Sequence, residues 1–196
     1  MIRILGISGS PRKNGNTVKL LEEALDSASD QEKNHIELVS LSGKEIKHCD
    51  ACRTCRTTKK CHLDDDFEPI FNKMIQADGI ILASPVYFGS ATPQIKALID
   101  RAGSLAGIRG RLFENKVGGP MVVARRAGHN FTFAQLMFFF FISGMIIPGT
   151  TYWTIAFSRG EEEAISDEEG IRTARNFGRK IAWLAHKIST NQFMNE

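Results

Sequence analysis

No long run of like charge occurs in this sequence: 25 Lys and Arg against 22 Asp and Glu leave a formal charge of +3, with both signs interspersed. That excludes the basic stripe by which a chain grips nucleic acid, and none is expected as a partner. No stretch reaches the roughly 20 apolar residues of a membrane span. The nearest candidate, Phe131 to Ile147, stops at 17 residues and is interrupted by Thr132, Gln135, Ser143 and Gly144, so no membrane association is expected. The opening Met1-Ile2-Arg3-Ile4-Leu5-Gly6-Ile7 is too short for a secretory leader and runs straight into a Gly/Ser turn, which points to the cytoplasm. Structural disulfides are disfavoured there. Internal repeats and Pro/Ser-rich linkers are also missing, so residues 1–196 read as one domain. With 42% apolar and 24% charged residues, the chain has enough core-forming side chains to exclude disorder over most of its length.

Five apolar segments have the length and boundaries of buried strands: Ile2–Ile7, Ile36–Leu41, Gly79–Ser84, Val117–Ala124 and Thr150–Phe157. Pro120, inside the fourth, makes the start of that strand uncertain. Helical spacing of apolar residues separates them. Val18, Leu21, Leu25 and Ala28 follow Asn16-Thr17; Phe67, Ile70, Phe71 and Met74 form a second stripe; Ile95, Leu98, Ile99 and Ala102 follow Pro93. A very apolar helix is expected from about Phe131 to Met145. A last one opens at Ser166 and Glu169, spaced as a capping box, and buries Ile171, Ala174, Phe177, Ile181 and Leu184. Strands alternating with helices describe an α/β doubly wound, five-stranded parallel sheet. Two connections are unusually long, Ser42 to Asp66 and Gly103 to Lys116, and such loops commonly carry function.

The first strand-to-helix turn, Ser8-Gly9-Ser10-Pro11-Arg12-Lys13-Asn14-Gly15-Asn16-Thr17, is dense in donors. In a doubly wound sheet it lies at the carboxyl edge, where ligands bind. A helix amino terminus offers unpaired N–H groups and partial positive charge to a phosphate. Ser8, Ser10 and Thr17 add hydroxyls, Asn14 and Asn16 add amides, and Arg12 adds a charged fork. The Gly-Lys-Ser/Thr of a Walker loop is missing. So is the acid that would hold a dinucleotide ribose, since the second strand closes on Val39-Ser40-Leu41. A short phosphate monoester suits this turn better than a pyrophosphate.

The turn after the third strand, Pro85-Val86-Tyr87-Phe88-Gly89, leaves the same edge. Its backbone can meet the rim of a planar heterocycle, Tyr87 or Phe88 can supply ring contact, and Gly89 permits close approach. Alone, an aromatic turn is more often simple packing. Beside a phosphate cradle it reads as a cofactor site.

All four cysteines fall in one stretch, Cys49-x2-Cys52-x2-Cys55-x5-Cys61. Structural zinc is usually held by two separated pairs. Three thiols at successive x2 spacings wrap one loop about one centre, as in the bacterial ferredoxin run, and the fourth is near enough to close the same site. A [4Fe-4S] cluster is the favoured ligand, with zinc and free redox thiols as the alternatives. Arg53, Arg56, Lys59 and Lys60 lie inside the motif and His48 and His62 flank it; such cations favour the more negative, reduced cluster, although solvent screening limits the effect.

These residues resemble the iron–sulfur flavoprotein family, a branch of the flavodoxin-like NAD(P)H-dependent FMN reductases. Gly9 to Thr17 is similar to its FMN-phosphate loop, and Ser84 to Gly89, continued by Lys96 and Asp100-Arg101, to its isoalloxazine segment. The cysteine run is similar to the motif that holds its cluster. The resemblance implies FMN bound noncovalently, one [4Fe-4S] cluster per subunit, homodimers or dimers of dimers, and exchange of electrons with ferredoxin-like carriers or reduction of small oxidants. After the fourth strand the sequence departs from the family: Ala124-Arg125-Arg126-Ala127-Gly128-His129-Asn130 stands where a Gly/Gln-rich turn is common.

The expected function is therefore an FMN- and [4Fe-4S]-dependent oxidoreductase working between a ferredoxin-like or NAD(P)H donor and a small acceptor. One rival is an NAD(P)H-dependent FMN or quinone reductase without the cluster; another is a redox-sensing module. Phe138-Phe139-Phe140-Phe141 puts phenylalanine on every side of its helix, and a helix apolar all round must be buried all round. A subunit interface is the simplest cover.

Overall fold

The computed structural model describes residues 1–29, 34–160 and 166–190. Its strands are β1 (Arg3–Ser8), β2 (His35–Ser40), β3 (Gly79–Pro85), β4 (Val117–Ala124) and β5 (Ile155–Phe157). Its helices are α1 (Asn16–Ser29), α2 (Thr54–Thr58), α3 (Phe67–Gln76), α4 (Pro93–Ile108), α5 (His129–Ile142) and α6 (Glu168–Thr190). The strands form one parallel sheet in the order β2-β1-β3-β4-β5, the flavodoxin-like arrangement with its switch point between β1 and β3.

Side-chain alternation along the strands divides the core in two. Leu5, Ile7, Ile80, Leu82 and Val122 point to the face covered by α3, α4 and α5. Ile4, Ile81, Ala83, Met121 and Val123 point to the face covered by α1 and α6. The central strands are therefore apolar on both sides and read as continuous hydrophobic runs.

Pro120 sits inside β4 without breaking it. The N–H groups of Gly118 and Val122 both point toward the β5 side, to Ile146 O and Thr154 O at 3.0 and 2.9 Å. Pro120 falls between them, in the gap between the Ile146 bridge and β5, where no ladder bond is demanded of it.

Several boundaries differ from expectation. The fifth strand is confined to Ile155–Phe157, because Tyr152 and Trp153 turn outward before it and the sheet edge alongside is patched by the Ile146–Val117 bridge. The connection expected from Gly103 begins as helix, since α4 continues to Ile108; the loop is 109–116. The cap bond of α6 comes from Asp167, one residue past the expected Ser166. Its Oδ1 accepts the Gly170 N–H at 2.9 Å while Oδ2 takes the Phe157 N–H at 2.7 Å, tying β5 to the helix. The short α2, inside the cysteine stretch, carries no apolar periodicity by which it could be foreseen. No helix of the described residues is long and apolar enough to cross a membrane.

Candidate functional site

Two expected segments meet in one pocket of about 380 Å³ at the carboxyl edge. Ser10, Arg12, Asn16 and Thr17 line it from the first turn, and Pro85, Val86 and Tyr87 from the turn after β3. The first turn is built by its own hydroxyls. Ser8 Oγ accepts the Ser10 N–H at 3.3 Å and Ser10 Oγ accepts the Arg12 N–H at 3.2 Å. Ser8 is fully buried and outside the pocket lining, so it is a strut of the turn and not the ligand donor expected of it. Asn14 is exposed and also lies outside the lining.

The turn is locked to α4 behind it. Gly9 donates its N–H to Ala83 O at 2.8 Å, and Thr92 Oγ1 donates to Gly9 O at 2.7 Å. A β-carbon at Gly9 would lie 2.7 Å from that of Ile95, so only glycine lets the turn rest there.

Phe88 and Gly89 form the tip of a two-residue hairpin closed by reciprocal Tyr87–Ser90 backbone bonds of 2.8 and 3.0 Å. Both have positive φ, 51° and 78°, as this tight turn demands. Neither lines the pocket, and the Phe88 ring projects fully into solvent. The hairpin is held from beneath by Gln135 of α5, whose Oε1 accepts from Ala91 N at 2.8 Å and Ser90 Oγ at 2.9 Å.

Val123, Ala124, Arg125, Ser158, Arg159 and Gly160 complete the pocket. Ala124 and Arg125 begin the turn that departs from the family pattern. Gly128 closes it at φ 90°, where a β-carbon would strike Val86 Cγ1 at 2.7 Å, so this turn packs directly on the ring turn. The post-β5 segment had no signal in the sequence; it is joined through Asn16, whose Nδ2 donates to Ser158 Oγ and to Gly160 O at 2.7 Å. Asn16 Oδ1 is buried with no donor among the described residues. A phosphate cradle, an acceptor wanting a hydroxyl, and a flat apolar slot between Pro85, Val86 and Tyr87 fit a phosphorylated, hydroxylated chain that ends in a planar ring.

The cysteine stretch leaves β2 at this same edge, where Ser42 Oγ donates to Pro11 O at 2.8 Å. Its neck is closed by Glu45 N to Asp66 Oδ2 and Lys47 N to Asp65 Oδ2, both 2.8 Å. Beyond the neck it folds along α4. Arg101 donates to Cys61 Sγ at 3.2 Å, and Lys59 Nζ to Ile108 O at 3.2 Å. Those contacts lie roughly 12 and 22 Å down the helix from Pro93. Lys96 and Asp100 likewise face an apolar groove and Arg101 faces the cysteine loop, so the segment expected to continue the ring site belongs to other surfaces. Cys61 is thus carried along α4, away from the pocket of its own subunit, although the loop that bears it leaves β2 at the pocket's edge.

Cys55 and Cys61 pack partly against the core, whereas Cys49 and Cys52 are exposed. Ala51, Arg53 and Lys59 all adopt positive φ, which turns the backbone sharply between the cysteines. Among the described residues, the group of three candidate ligand atoms lying within 4.8 Å of one another is Asp50, Cys52 and His62. Tetrahedral zinc at about 2.3 Å from each sulfur would draw its thiols to about 3.8 Å apart. Among the described residues no three of the four thiols lie within 4.8 Å of one another. The Cys52 N–H, then His62 at 2.8 Å, hold the Asp50 carboxyl down at about 2.

The sequence matches the model of the NADPH-dependent FMN reductase family over residues 2–160. It is 40% identical over 194 residues to an iron-sulfur flavoprotein of Methanocaldococcus jannaschii, covering 95% of this chain and 99% of the relative. It is 34% identical over 195 residues to an iron-sulfur flavoprotein of Methanosarcina thermophila, covering 97% and 99%. Among solved structures the fold is similar to that of RosB, with a TM-score of 0.78 at 15% identity over 98% of this chain and 82% of that one. A WrbA-like flavodoxin from Agrobacterium tumefaciens gives a TM-score of 0.65 at 17% identity over 95% and 99%.

Proposed function

The chain belongs to the NADPH-dependent FMN reductase family, and from that footing we propose that this flavin-dependent oxidoreductase couples its FMN to a [4Fe-4S] cluster, passing electrons between a ferredoxin-like or NAD(P)H donor and a small acceptor. The observation that carries the proposal is the pairing, in one chain, of a cradle-and-slot pocket with a four-thiol loop pinned to the neighbouring helix. FMN exchanges two electrons, together or one at a time, and a cluster carries one, so together they connect donors and acceptors of different stoichiometry.

The chain supplies placement. Arg12, the Ser10 and Thr17 hydroxyls and the first turn of α1 hold the phosphate, with Asn14 at the rim; Asn16 Oδ1 accepts from a ribityl hydroxyl. Pro85, Val86 and Tyr87 bracket the ring, and the Phe88-Gly89 tip covers it. Cys49, Cys52, Cys55 and Cys61 hold the cluster. Arg53, Arg56, Lys59 and Lys60 are all exposed around those thiols and present a basic face to an acidic electron carrier.

The subunit is incomplete alone. Helix α5 has no Asp, Glu, Lys or Arg among its 14 residues, and its outward Phe138 and Phe141 are 71% and 80% exposed. They border an apolar groove of about 830 Å³ between α4 and α5. A second copy of the chain fits this face, in a homodimer or a dimer of dimers. Because Cys61 lies down α4 from its own pocket, the two redox groups communicate across that interface.

The test is anaerobic purification followed by assay of flavin, iron and sulfide, with absorption spectra before and after dithionite. Near-stoichiometric flavin with four irons per chain, as the proposed cubane requires, is the expected result. Zinc without iron, and flavin bleaching by NADPH that a Cys52→Ser change leaves untouched, would leave a flavin reductase with no relay.

A further inference from the structure

We propose that Arg101 is a positioning residue for the iron–sulfur centre, fixing Cys61 and raising the cluster's reduction potential through a buried N–H to sulfur hydrogen bond; this rests on reading the loop as a cluster site.

The Arg101 side chain is 2% exposed and that of Asp65 is fully buried. Their contact is a fork: Nη2 donates to Asp65 Oδ1 at 3.0 Å and Nη1 donates to Oδ2. Nη1 also donates to Lys47 O at 3.0 Å, and the guanidinium lies 4.1 Å over the Phe67 ring. These contacts alone would clamp the neck of the loop to α4. Nη2 nevertheless makes a further bond, to Cys61 Sγ at 3.2 Å, and Nε remains buried with no acceptor among the described residues. A purely structural clamp has no use for a donor on a thiol or for a spare buried N–H.

Burial disfavours both charges, but each partner reverses that for the other. The Asp65 and Cys61 contacts hold charge on the guanidinium, and Arg101 with the Lys47 and Phe67 N–H groups holds the Asp65 carboxyl below the ordinary carboxylate range. The ion pair is close to neutral as a unit, so its long-range field is small. What reaches the centre is the directional N–H on Cys61. Hydrogen bonds to ligand sulfur stabilise the extra negative charge of a reduced cluster and raise its potential. Bond and buried pair belong to this chain whether or not a second copy is docked.

The full-length protein, reconstituted anaerobically with ferrous iron and sulfide, is compared with Arg101→Gln, Arg101→Lys and Asp65→Asn by redox titration followed by electron paramagnetic resonance. Arg101→Gln shifts the reduction equilibrium at least tenfold against the reduced cluster, about 59 mV for a one-electron couple. Arg101→Lys, which keeps the charge but not the fork, shifts it the same way by less. Asp65→Asn removes a neighbouring negative charge, keeps the Cys61 bond and shifts it the opposite way. A residue that only ordered the loop would change iron content in all three variants without this reversal of sign. The resonance reads only the clusters present, so partial loading leaves the comparison intact. Loaded Arg101 variants with the wild-type potential overturn the proposal alone; wild-type protein that takes up flavin but no iron overturns the cluster reading beneath it.

Discussion

Gly178 of α6 rests on the Ala24 carbonyl of α1 so closely that a β-carbon there would stand 1.8 Å from the oxygen. The obstacle is helix backbone and cannot rotate aside. Gly178→Ala must pry apart two helices that share the Leu20, Leu21, Phe177 and Ile181 core, and a loss of about 3 kcal/mol is expected in urea unfolding, at the upper end for overpacking. Gly107, on α4 with open space around it, is the control: alanine there is neutral or stabilising by about 0.5 kcal/mol. Because α1 begins at the pocket, the Gly178 variant also loses flavin affinity, whereas the Gly107 variant keeps it.

The sheet was legible because its signals are local. Buried parallel strands such as Gly79–Ser84 read as unbroken apolar runs, and the turns that follow them must lie at the carboxyl edge. The division of labour within those turns was not legible. Ser8 and Ser10 look alike in sequence, yet one is a buried strut and the other lines the pocket, because the chain reverses between them. Ser158, Arg159 and Gly160 are brought to the site by the pairing of Ser158 with Ala124 and by Asn16, a contact across 142 positions or more that no window of sequence contains. The path of the cysteine loop was equally hidden. Its spacing announces a metal centre, but its direction is set by Arg101, a residue that the resemblance tied to the ring segment instead.

Arg12 separates recognition of the phosphate from recognition of the ring. It brings a full charge to an exposed rim of the pocket, and a hydrogen bond between charged groups contributes about 1.5–3 kcal/mol. Arg12→Ala is expected to weaken FMN binding by about 10- to 100-fold, as read by quenching of flavin fluorescence, and to leave riboflavin affinity within about twofold of wild type. Equal losses for both flavins would place Arg12 away from the phosphate.

Phe88 holds a left-handed backbone at φ 51° with its ring in solvent, a combination that costs about 1 kcal/mol and brings no packing in return within the subunit. Asparagine suits this turn position far better. Phe88→Asn should therefore stabilise the flavin-free protein by about 0.5–1 kcal/mol while weakening FMN binding several-fold. A flavin-free variant that gained no stability would show that Phe88 is already covered by a second copy.

His129 is buried at the start of α5, its Nε2 3.1 Å from Ala156 O and its ring 4.5 Å from that of Phe157. Burial pushes its pKa below the ordinary 6.5, against weaker opposing contributions from Ala156 O and Asp167. As pH falls through 6.5 the unfolded chain takes up this proton before the folded one, so stability declines until the folded imidazole also titrates, and then levels off. His129→Gln removes that dependence. It should cost about 1–2 kcal/mol near pH 8, and the deficit should narrow near pH 5.5 because only the wild type loses stability over that interval. Urea midpoints for the pair at both pH values measure it; a deficit that widens in acid would mean the imidazole is stabilised as its cation.

The outward face of α5 tests the assembly. Phe138 and Phe141 flank the apolar groove, and an interface that covered them would remove from water two rings of about 150–250 Å² each. At about 25 cal/mol per Å² they are among the strongest contributors to association, and a carboxylate forced between two copies must give up its water there. Phe138→Glu and Phe141→Glu are each expected to convert the particle seen by light scattering at micromolar concentration into a monomer, while flavin content holds because neither side chain lines the FMN pocket. If electrons cross between subunits, reduction of the cluster by way of the flavin fails in the same monomers, although dithionite still reduces both groups directly. A wild-type chain that is already a monomer at that concentration would sink the interface, and with it the route across it.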